Sequence, residues 1–333
     1  MALRVAVLAT GGTIATRTDA SGTAVARAGG QELLGDLPLP AGVAVDAEDV
    51  FRVGSYAMTL QHLQQLAVRV DERLRDDVAG LVITHGTDTT EETAVFLDLV
   101  IDDPRPVVLT GAQRPADAPD SDGPRNLTDA ITVAADPAAR GLGTLVVFDG
   151  AVLPARGVAK SQTLASAAFS AATGPVGWVR NGLVQVEAGP RRRPRLALRS
   201  VDLNRVRVDI ATSYAGADAA ALHAFAAAGA GGIVVQGTGA GNANPAICDA
   251  VAELTRRGLV VVTSTRVPSG AVVPIYGNGG GADLQRAGAL PAGLLRPPQA
   301  RIVLAALLSA HDDVDAVRAA FTEYVDPTTR PPD

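Results

Sequence analysis

The first candidate for chemistry is a threonine that follows two consecutive glycines. Residues 10–15 read Thr-Gly-Gly-Thr-Ile-Ala and come directly after the apolar run at residues 5–9. Paired glycines allow a sharp turn and a close backbone approach to a bound molecule, so Gly12 is a candidate for substrate binding and Thr13 for nucleophilic attack. The glycine spacing fits neither a dinucleotide loop nor a P-loop. On this motif alone, Thr13 is equally compatible with a turn threonine that caps backbone groups.

A second polar motif follows another short apolar run, at residues 81–84. It reads His-Gly-Thr-Asp-Thr-Thr-Glu-Glu-Thr over residues 85–93 and opens a helical pattern. A hydroxyl, a carboxylate and a helix N-terminus would meet there at the end of a strand, which favours a polar ligand. Gly86, Thr87 and Asp88 are therefore candidate site residues.

Part of this second motif also has a structural interpretation. Thr89 stands three residues before Glu92, the spacing of a capping box. Early acidic residues suit the positive end of a helix, so we expect Glu91 and Glu92 to be structural. Asp88 is also compatible with a plain N-cap role.

The third candidate is identified by composition. Lys160 is the only lysine among 29 basic residues, the other 28 being arginine, and residues 157–179 contain no further charged side chain. An ammonium group can lose its proton when it is desolvated, whereas a guanidinium effectively cannot. The position is thus predicted to need a group that carries or accepts a proton. The alternative is that this single lysine has no functional role and is present by chance.

Composition limits the class of partner. The length of 333 residues predicts two domains, and 47% hydrophobic with 19% charged residues is typical of a globular chain. A net charge of −6 gives no general basic field of the kind that binding to nucleic acid or an anionic membrane needs. A small-molecule partner is favoured. No apolar run is long enough to predict a transmembrane span.

Other residues argue against metal and disulfide chemistry. Cys248 is the only cysteine, so no internal disulfide can form, and its helical context predicts a small buried side chain. The four histidines are scattered without ligand-like spacing, so we expect no metal and no cofactor. The apolar run near the N-terminus is too short for a signal peptide, which predicts a cytoplasmic location.

The elements that must position these residues follow an α/β pattern. Short apolar strands alternate with amphipathic helices, which predicts parallel sheets covered on both faces. The predicted strands are residues 5–9, 81–84, 107–110, 145–148, 206–211, 232–235 and 260–263. The predicted helices are residues 60–74, 91–100, 127–134, 217–228, 244–257, 299–309 and 314–324. Ligands of open parallel sheets bind beyond the carboxyl ends of the strands, where both polar motifs fall.

A change in composition predicts the boundary between domains. Residues 187–204 are rich in arginine and proline and lack a clear period, so they are predicted to link a domain at 1–186 to a smaller one at 205–333. The arginine cluster at residues 191–195 is expected to be a solvated part of this linker.

The pairing of TGGTIA after one strand with HGTDT after another resembles the signature of the bacterial L-asparaginases. The resemblance covers nearly the whole chain and continues through Gly54-Ser55, residues 106–111, 122–127, Lys160, 174–175, 241–244 and 266–270. It implies a larger, mostly parallel-sheet N-terminal domain and a smaller C-terminal α/β domain. It also implies hydrolysis of L-asparagine to L-aspartate and ammonia through an acyl-enzyme. The implied assembly is a homodimer with active sites between subunits, and commonly a homotetramer.

The resemblance also implies roles for individual residues. The family's nucleophilic threonine corresponds to Thr13, and its second catalytic group to Thr87, Asp88 and Lys160. Because a hydroxyl is a weak nucleophile, a base must take its proton, and Lys160 could do so through Thr87 while Asp88 orients the lysine. The positions expected at the substrate are Gly12, Ser55, Tyr56, Gly86 and Asn244.

Several positions depart from the family pattern. Residues 16–35 contain no tyrosine where the family places one near the nucleophile, so the base for Thr13 stays open. Tyr56 follows the substrate serine where better-studied enzymes have Gln or Asp. The glutamate that the family's partner subunit supplies has no clear counterpart in residues 272–281, where Tyr276 or Asn278 stands nearby.

These departures leave alternatives to L-asparagine hydrolysis. The preferred amide could be L-glutamine or D-asparagine, or the chain could be a weakly active amino-acid sensor on the same scaffold. A tRNA-dependent amidotransferase subunit is disfavoured, because such subunits carry a domain before TGGTIA and only nine residues precede Thr10 here.

Overall fold

The computed structural model describes residues 2–18, 24–26, 28–35, 37–190 and 193–326. The chain divides into two compact units, Met1–Arg192 and Arg193–Asp333. Each unit is built on a mostly or wholly parallel sheet with helices, and the sheet of the first unit is the larger. The predicted α/β fold with a larger N-terminal unit and a smaller C-terminal one is confirmed.

The first unit contains a mixed eight-stranded sheet. The strands of this unit are β1 (Leu3–Gly11), β2 (Thr16–Thr18), β3 (Ala24–Ala26), β4 (Val43–Val53), β5 (Gly80–Thr84), β6 (Val107–Thr110), β7 (Thr144–Phe148), β8 (Ala151–Pro154), β9 (Val158–Lys160), β10 (Phe169–Ala171), β11 (Gly177–Arg180) and β12 (Leu183–Val186). The sheet order is β12-β11-β8-β7-β6-β5-β1-β4. The five strands from β7 to β4 are parallel, while β8, β11 and β12 extend the sheet in antiparallel fashion. Two hairpins, β2–β3 and β9–β10, lie outside it.

Both faces of the central strands are buried. The helices of this unit are α1 (Gly30–Leu34), α2 (Leu60–Arg73), α3 (Thr90–Val100) and α4 (Gly123–Ala135). Val5, Val7 and Val82 share one apolar cluster with residues of α4, and the alternate residues Ala6 and Leu8 are equally buried. Successive side chains of a strand point to opposite faces, so such strands appear in the sequence as continuous apolar runs. This burial explains why the central strands were predictable.

The strands that the sequence analysis did not predict have weaker signals. β4 lies at the edge of the sheet, and its partly exposed length includes Asp46, Glu48 and Asp49, which interrupt the apolar pattern. The strand β9, which carries Lys160, is only three residues long. α4 begins at Gly123, four residues before the predicted start, with Pro124 in its first turn.

The second unit has a four-stranded parallel sheet in the order of its strands along the chain. Its strands are β13 (Val208–Thr212), β14 (Gly232–Gly237), β15 (Val260–Thr265) and β16 (Leu290–Pro291). Its helices are α5 (Ala220–Ala227), α6 (Pro245–Arg256), α7 (Gly281–Arg286), α8 (Pro297–Ala310) and α9 (Val314–Val325). Cys248 is buried in an apolar cluster on α6, as predicted, and burial raises the pKa of its thiol.

The segment predicted as a linker contains ordered contacts. Arg193 is buried, and its guanidinium donates a hydrogen bond to the backbone carbonyl of Asp326. The expectation of a solvated arginine cluster is therefore wrong for Arg193, because a buried guanidinium requires acceptors. Arg191 and Arg192 lie outside the described residues. Further on, Leu203 is buried at the start of a short 3-10 turn.

Candidate active site

Three sequence motifs meet at one edge of the large sheet. Strands β4, β1 and β5 are neighbours and parallel, and they end at Val53, Gly11 and Thr84. The motifs that follow them contain Ser55, Thr13 and Thr87. Since the carboxyl ends of parallel strands share one edge, the fold brings these segments together at the place where open α/β sheets bind ligands.

Glycines allow the three turns to touch. Gly12 has a φ of +80°, and a Cβ atom built on it would lie 2.4 Å from the amide nitrogen of Gly86. A Cβ atom on Gly86 would lie 2.5 Å from the hydroxyl oxygen of Ser55. Any larger residue would push the turns apart, so these glycines determine the distance between the motifs. Thr13 and Thr87 directly follow these two touching glycines at this edge.

Thr13 stands at the start of a short 3-10 turn and is partly buried. Neighbouring threonines hold this turn in place. The hydroxyl of Thr16 donates to the carbonyl of Gly12 at 2.9 Å, and that of Thr10 donates across the sheet to the carbonyl of Thr84 at 2.8 Å. The position of Thr13 is thus defined by contacts on both sides of the turn.

The structure brings Lys160 to the second polar motif. Lys160 Nζ donates to Thr87 Oγ1 at 2.7 Å and to Asp88 Oδ1 at 2.8 Å. The Lys160 side chain is 20% exposed and that of Asp88 50%, so this ion pair is partly open to solvent. Lys160 thus lies within hydrogen-bonding distance of both other residues of the predicted second group.

Glu91 holds the strand that carries the lysine. Its Oε2 accepts a hydrogen bond from the backbone nitrogen of Lys160 at 2.9 Å. Burial raises the pKa of Glu91 to about 7, the hydrogen bond from Lys160 opposes that shift, and the charge of Glu92 adds to it. Glu91 lies in the first turn of α3, as predicted from the sequence, and in addition it contacts β9.

The predicted capping box at the start of α3 is wrong. Thr89 makes no capping bond and instead donates from Oγ1 to the carbonyl of Ser55 at 3.0 Å. The Oγ of Ser55 accepts from the backbone nitrogen of Asp88 at 3.1 Å. The turn after β4 therefore competes successfully for the Thr89 hydroxyl, and the buried Ser55 is fastened to the second motif twice.

Tyr56 lies at the rim of this edge. Its side chain is 82% exposed, and its ring covers Gly54, where a Cβ atom would lie 2.5 Å from Cε1 of the tyrosine. An exposed aromatic ring beside Ser55 is available to a ligand or to another chain.

Sequence reasoning missed Gln113, which follows β6. Thr87 Oγ1 donates to Gln113 Oε1 at 3.1 Å, and Gln113 Nε2 donates to the carbonyl of Thr163 at 3.0 Å. The backbone nitrogen of Gln113 donates to Asp122 Oδ1 at 3.0 Å. The available signal was its place directly after the fourth parallel strand along this edge.

His85 belongs to the framework of the site. It is fully buried, and its ring nitrogens contact the hydroxyls of Thr90 and Thr93 at 3.4 Å and 3.0 Å. Desolvation lowers the pKa of His85 to about 4, so the ring is neutral near pH 7.

Asn244 belongs to the second unit and caps α6. Its Oδ1 accepts from the backbone nitrogen of Ile247 at 3.1 Å, and its Nδ2 donates to the carbonyl of Ala217 at 2.8 Å. These contacts give it a structural role within its unit. Its part in substrate binding stays a prediction.

Two features are absent from the residues that the structure describes. Among these residues no group of three or more His, Cys, Asp or Glu side chains is placed to hold a metal ion. None of the helices within them is long and apolar enough to cross a membrane.

The fold and the family comparison define the class of protein. The carboxyl edge of the parallel sheet presents hydroxyls and a carboxylate, and the β9–β10 hairpin brings a lysine to them. These are the groups that amide hydrolysis needs, and the chain is a hydrolase of carboxamides. The model of the asparaginase N-terminal domain matches residues 4–192, and that of the glutaminase/asparaginase C-terminal domain matches residues 207–321. The chain belongs to the asparaginase family.

Individual relatives cover nearly the full length. A probable L-asparaginase of Deinococcus radiodurans is 39% identical over 325 residues, which are 97% of this chain and 98% of the relative. L-asparaginase 2 of Escherichia coli K12 is 35% identical over 329 residues, covering 96% and 93%. The crystal structure of a probable cytoplasmic L-asparaginase from Campylobacter jejuni has a TM-score of 0.84 at 32% identity, covering 97% of this chain and all of that one.

Proposed function

We propose that this protein is an L-asparaginase that hydrolyses L-asparagine to L-aspartate and ammonia. The observation that carries the proposal is the contact of Lys160 Nζ with Thr87 Oγ1 and Asp88 Oδ1, at the edge that also holds Thr13. The names of the similar proteins from Deinococcus radiodurans and Escherichia coli support the same substrate.

In the proposed first step, the Thr13 hydroxyl oxygen attacks the side-chain amide carbon of the substrate. The bond from this oxygen to carbon forms, the carbon–nitrogen bond breaks, and the hydroxyl proton passes to the nitrogen that leaves as ammonia. In the second step water attacks the acyl-enzyme, the ester bond breaks, and a water proton returns to Thr13. Splitting the reaction in this way replaces one difficult step by two easier ones.

Thr87, Asp88 and Lys160 are proposed to manage the protons of these steps. Lys160 in its neutral form would take a proton through the Thr87 hydroxyl, and the carboxylate of Asp88 would hold the amine in position. Backbone N–H groups of the turns at Gly12 and Gly86 are proposed to stabilise the oxyanion, an effect worth about 3 kcal/mol per donor. Ser55 and Tyr56 would contact the substrate beside them.

The test is ammonia release from L-asparagine by purified protein, without added metal or nucleotide. Thr13→Ala and Lys160→Arg should each remove most of the activity, because one loses the nucleophile and the other keeps the charge but cannot give up its proton. Arg75→Lys is the matched control, since it makes the reverse exchange at an exposed position and should leave activity unchanged. Full activity of Lys160→Arg would contradict the role of the lysine.

A panel of amides tests the substrate separately. Faster turnover of L-glutamine, D-asparagine or a peptide amide would keep the reaction and overturn the preference for L-asparagine. Binding of L-asparagine by the wild-type protein without any ammonia release would instead support a sensor.

We further propose a cytoplasmic homodimer or homotetramer. Support for the location comes from the Campylobacter jejuni structure, which is described as that of a cytoplasmic enzyme. Support for assembly comes from the family resemblance and from exposed apolar side chains in each unit, such as Leu164 and Ile275. Sedimentation analysis tests the assembly, and a monomer at micromolar concentration would contradict it. Fractionation of the producing cells tests the location.

A further inference from the structure

The hydrogen bonds around Thr87 have a defined direction. The carbonyl of Thr163 can only accept, so the amide nitrogen of Gln113 must face it, at 3.0 Å. The amide oxygen of Gln113 then faces Thr87 Oγ1 at 3.1 Å, and an amide oxygen can only accept. The single hydroxyl proton of Thr87 is therefore directed toward Gln113.

This direction determines which partner donates in the contact between Thr87 and Lys160. Because the Thr87 proton is already donated to Gln113, the 2.7 Å contact between Thr87 Oγ1 and Lys160 Nζ requires the lysine to donate. Asp88 Oδ1 accepts a second proton of the same amine at 2.8 Å. Both contacts of the amine are therefore donated by Lys160, and one lone pair of Thr87 Oγ1 is left available to a further donor.

We propose that Gln113 is a positioning residue that controls the proton relay by holding the Thr87 hydroxyl proton away from Lys160. The proposal rests on the asparaginase activity proposed above. Gln113 acts through Thr87 and needs no contact with the substrate.

The relay itself requires this hydrogen bond to change. When the lysine is a neutral amine, it can take the Thr87 proton, while Thr87 takes a proton from water or from the Thr13 hydroxyl. The lysine thereby gains a positive charge, the water or Thr13 oxygen gains a negative charge, and Thr87 stays neutral. For this transfer, the hydroxyl of Thr87 must rotate from Gln113 to Lys160. Gln113 and the neutral amine thus compete for one proton, and Gln113 stabilises the state in which the lysine is charged.

Other charged groups lie around this chain of hydrogen bonds. Asp88 contacts the lysine from the turn after β5, and Glu91 on α3 accepts from the lysine's backbone nitrogen. Asp122, before α4, accepts from the backbone of Gln113 and Arg114. The Arg114 guanidinium lies 3.2 Å from the carboxylate of Asp120. A substitution at Gln113 leaves all of these side chains in place, so a changed pH profile reports on the acceptor at position 113.

Gln113 also has a structural contact that the test must separate. Its amide nitrogen ties down the loop between β9 and β10 through Thr163, three residues after Lys160. Gln113→Met and Gln113→Glu both lose this tie, since neither a thioether nor a carboxylate can donate. They differ in the other contact, because Met removes the strong acceptor for Thr87 and Glu supplies a stronger, charged one.

The experiment measures kcat for L-asparagine from pH 4 to pH 10 in the wild type and both variants. Gln113→Met should move the acid limb to lower pH by about half a unit to one unit, the effect expected from one hydrogen bond. Gln113→Glu should move it to higher pH by at least as much. A purely structural role would change both variants alike, so superimposed profiles, or a Met profile shifted upward, would overturn the proposal.

Two controls separate the possible failures. Circular dichroism and the unfolding midpoint check the fold of each variant, and Gln113→Ala removes the same acceptor if the Met variant does not fold. Ammonia release by the wild type distinguishes the two proposals: no release from any amide refutes the activity, whereas an active wild type with unshifted variants refutes only the role of Gln113.

Discussion

The protonation of Glu91 offers a test of the site's electrostatics that does not depend on activity. Its carboxyl group lies between α3 and β9 and accepts the backbone N–H of Lys160. Burial raises its pKa from the ordinary value of 4.5 to about 7. Glu91→Gln keeps an oxygen that can accept the same hydrogen bond and removes the charge at every pH.

The raised pKa determines the sign and size of the expected effect. Below pH 4.5 the carboxyl is protonated in both the folded and the unfolded chain, so its contribution to stability is complete. Between pH 4.5 and 7 only the folded chain keeps the proton, and the free energy of unfolding falls by about 1.4 kcal/mol per pH unit. The total loss for this group is about 3 kcal/mol, and it levels off above pH 7.

The assay is denaturant unfolding of the wild type and Glu91→Gln between pH 4 and pH 8. The stability of the wild type minus that of the variant should fall by about 3 kcal/mol over this range. Glu187→Gln is the control, since Glu187 is an exposed glutamate of the same unit, and its difference should stay flat. A difference for Glu91→Gln that stays flat or rises with pH would refute the assignment of a desolvated carboxyl.

Three further predictions concern the turns and the cap. Gly12→Ala should lower kcat/KM by about 100-fold, because its Cβ atom would meet Gly86. The control is Gly42→Ala, which has a similar positive φ but open space around it and should only destabilise the fold by about 1 kcal/mol. Equal activities of the two variants would contradict the steric argument. Ser55→Ala removes an acceptor from the neighbouring turn, so urea unfolding should show a loss of about 1 kcal/mol, and unchanged stability would count against this contact. Asn244→Ala should lower the free energy of unfolding by about 1 kcal/mol in the same assay, because it removes the cap of α6. Asn244→Asp keeps the cap, so a raised KM in a stable aspartate variant would support a role at the substrate.

The sequence alone was sufficient for strands that are buried on both faces and for helices with one apolar face. The predicted strand at residues 107–110 coincides with β6, and the predicted helix at residues 60–74 differs from α2 by one residue. Such elements are predictable because burial requires an uninterrupted apolar run or a helical apolar face. The edge strand β4 was missed because its partial exposure permits acidic residues, which remove that signal.

The sequence also determined which residue types are available for chemistry. It contains Thr13 after two glycines, Thr87 and Asp88 at the start of a helix, and one lysine in an arginine-rich chain. Side-chain chemistry and the positions of strand ends made these residues candidates, and the resemblance to the bacterial L-asparaginases supplied their expected roles. Their roles in catalysis stay predictions.

Only the tertiary structure decided which of these groups are partners. Lys160 reaches Asp88 across 72 residues of chain, and Thr89 bonds to Ser55 rather than to its own helix. Gln113, whose signal in the sequence was only its place after a strand, accepts a hydrogen bond from the Thr87 hydroxyl. A hydrogen bond is sensitive to changes of a few tenths of an ångström in the donor–acceptor distance and to the direction of the donor. Both are set by how the strands and turns pack. The sequence thus determines which functional groups are present, and tertiary packing determines which of them form hydrogen bonds with one another.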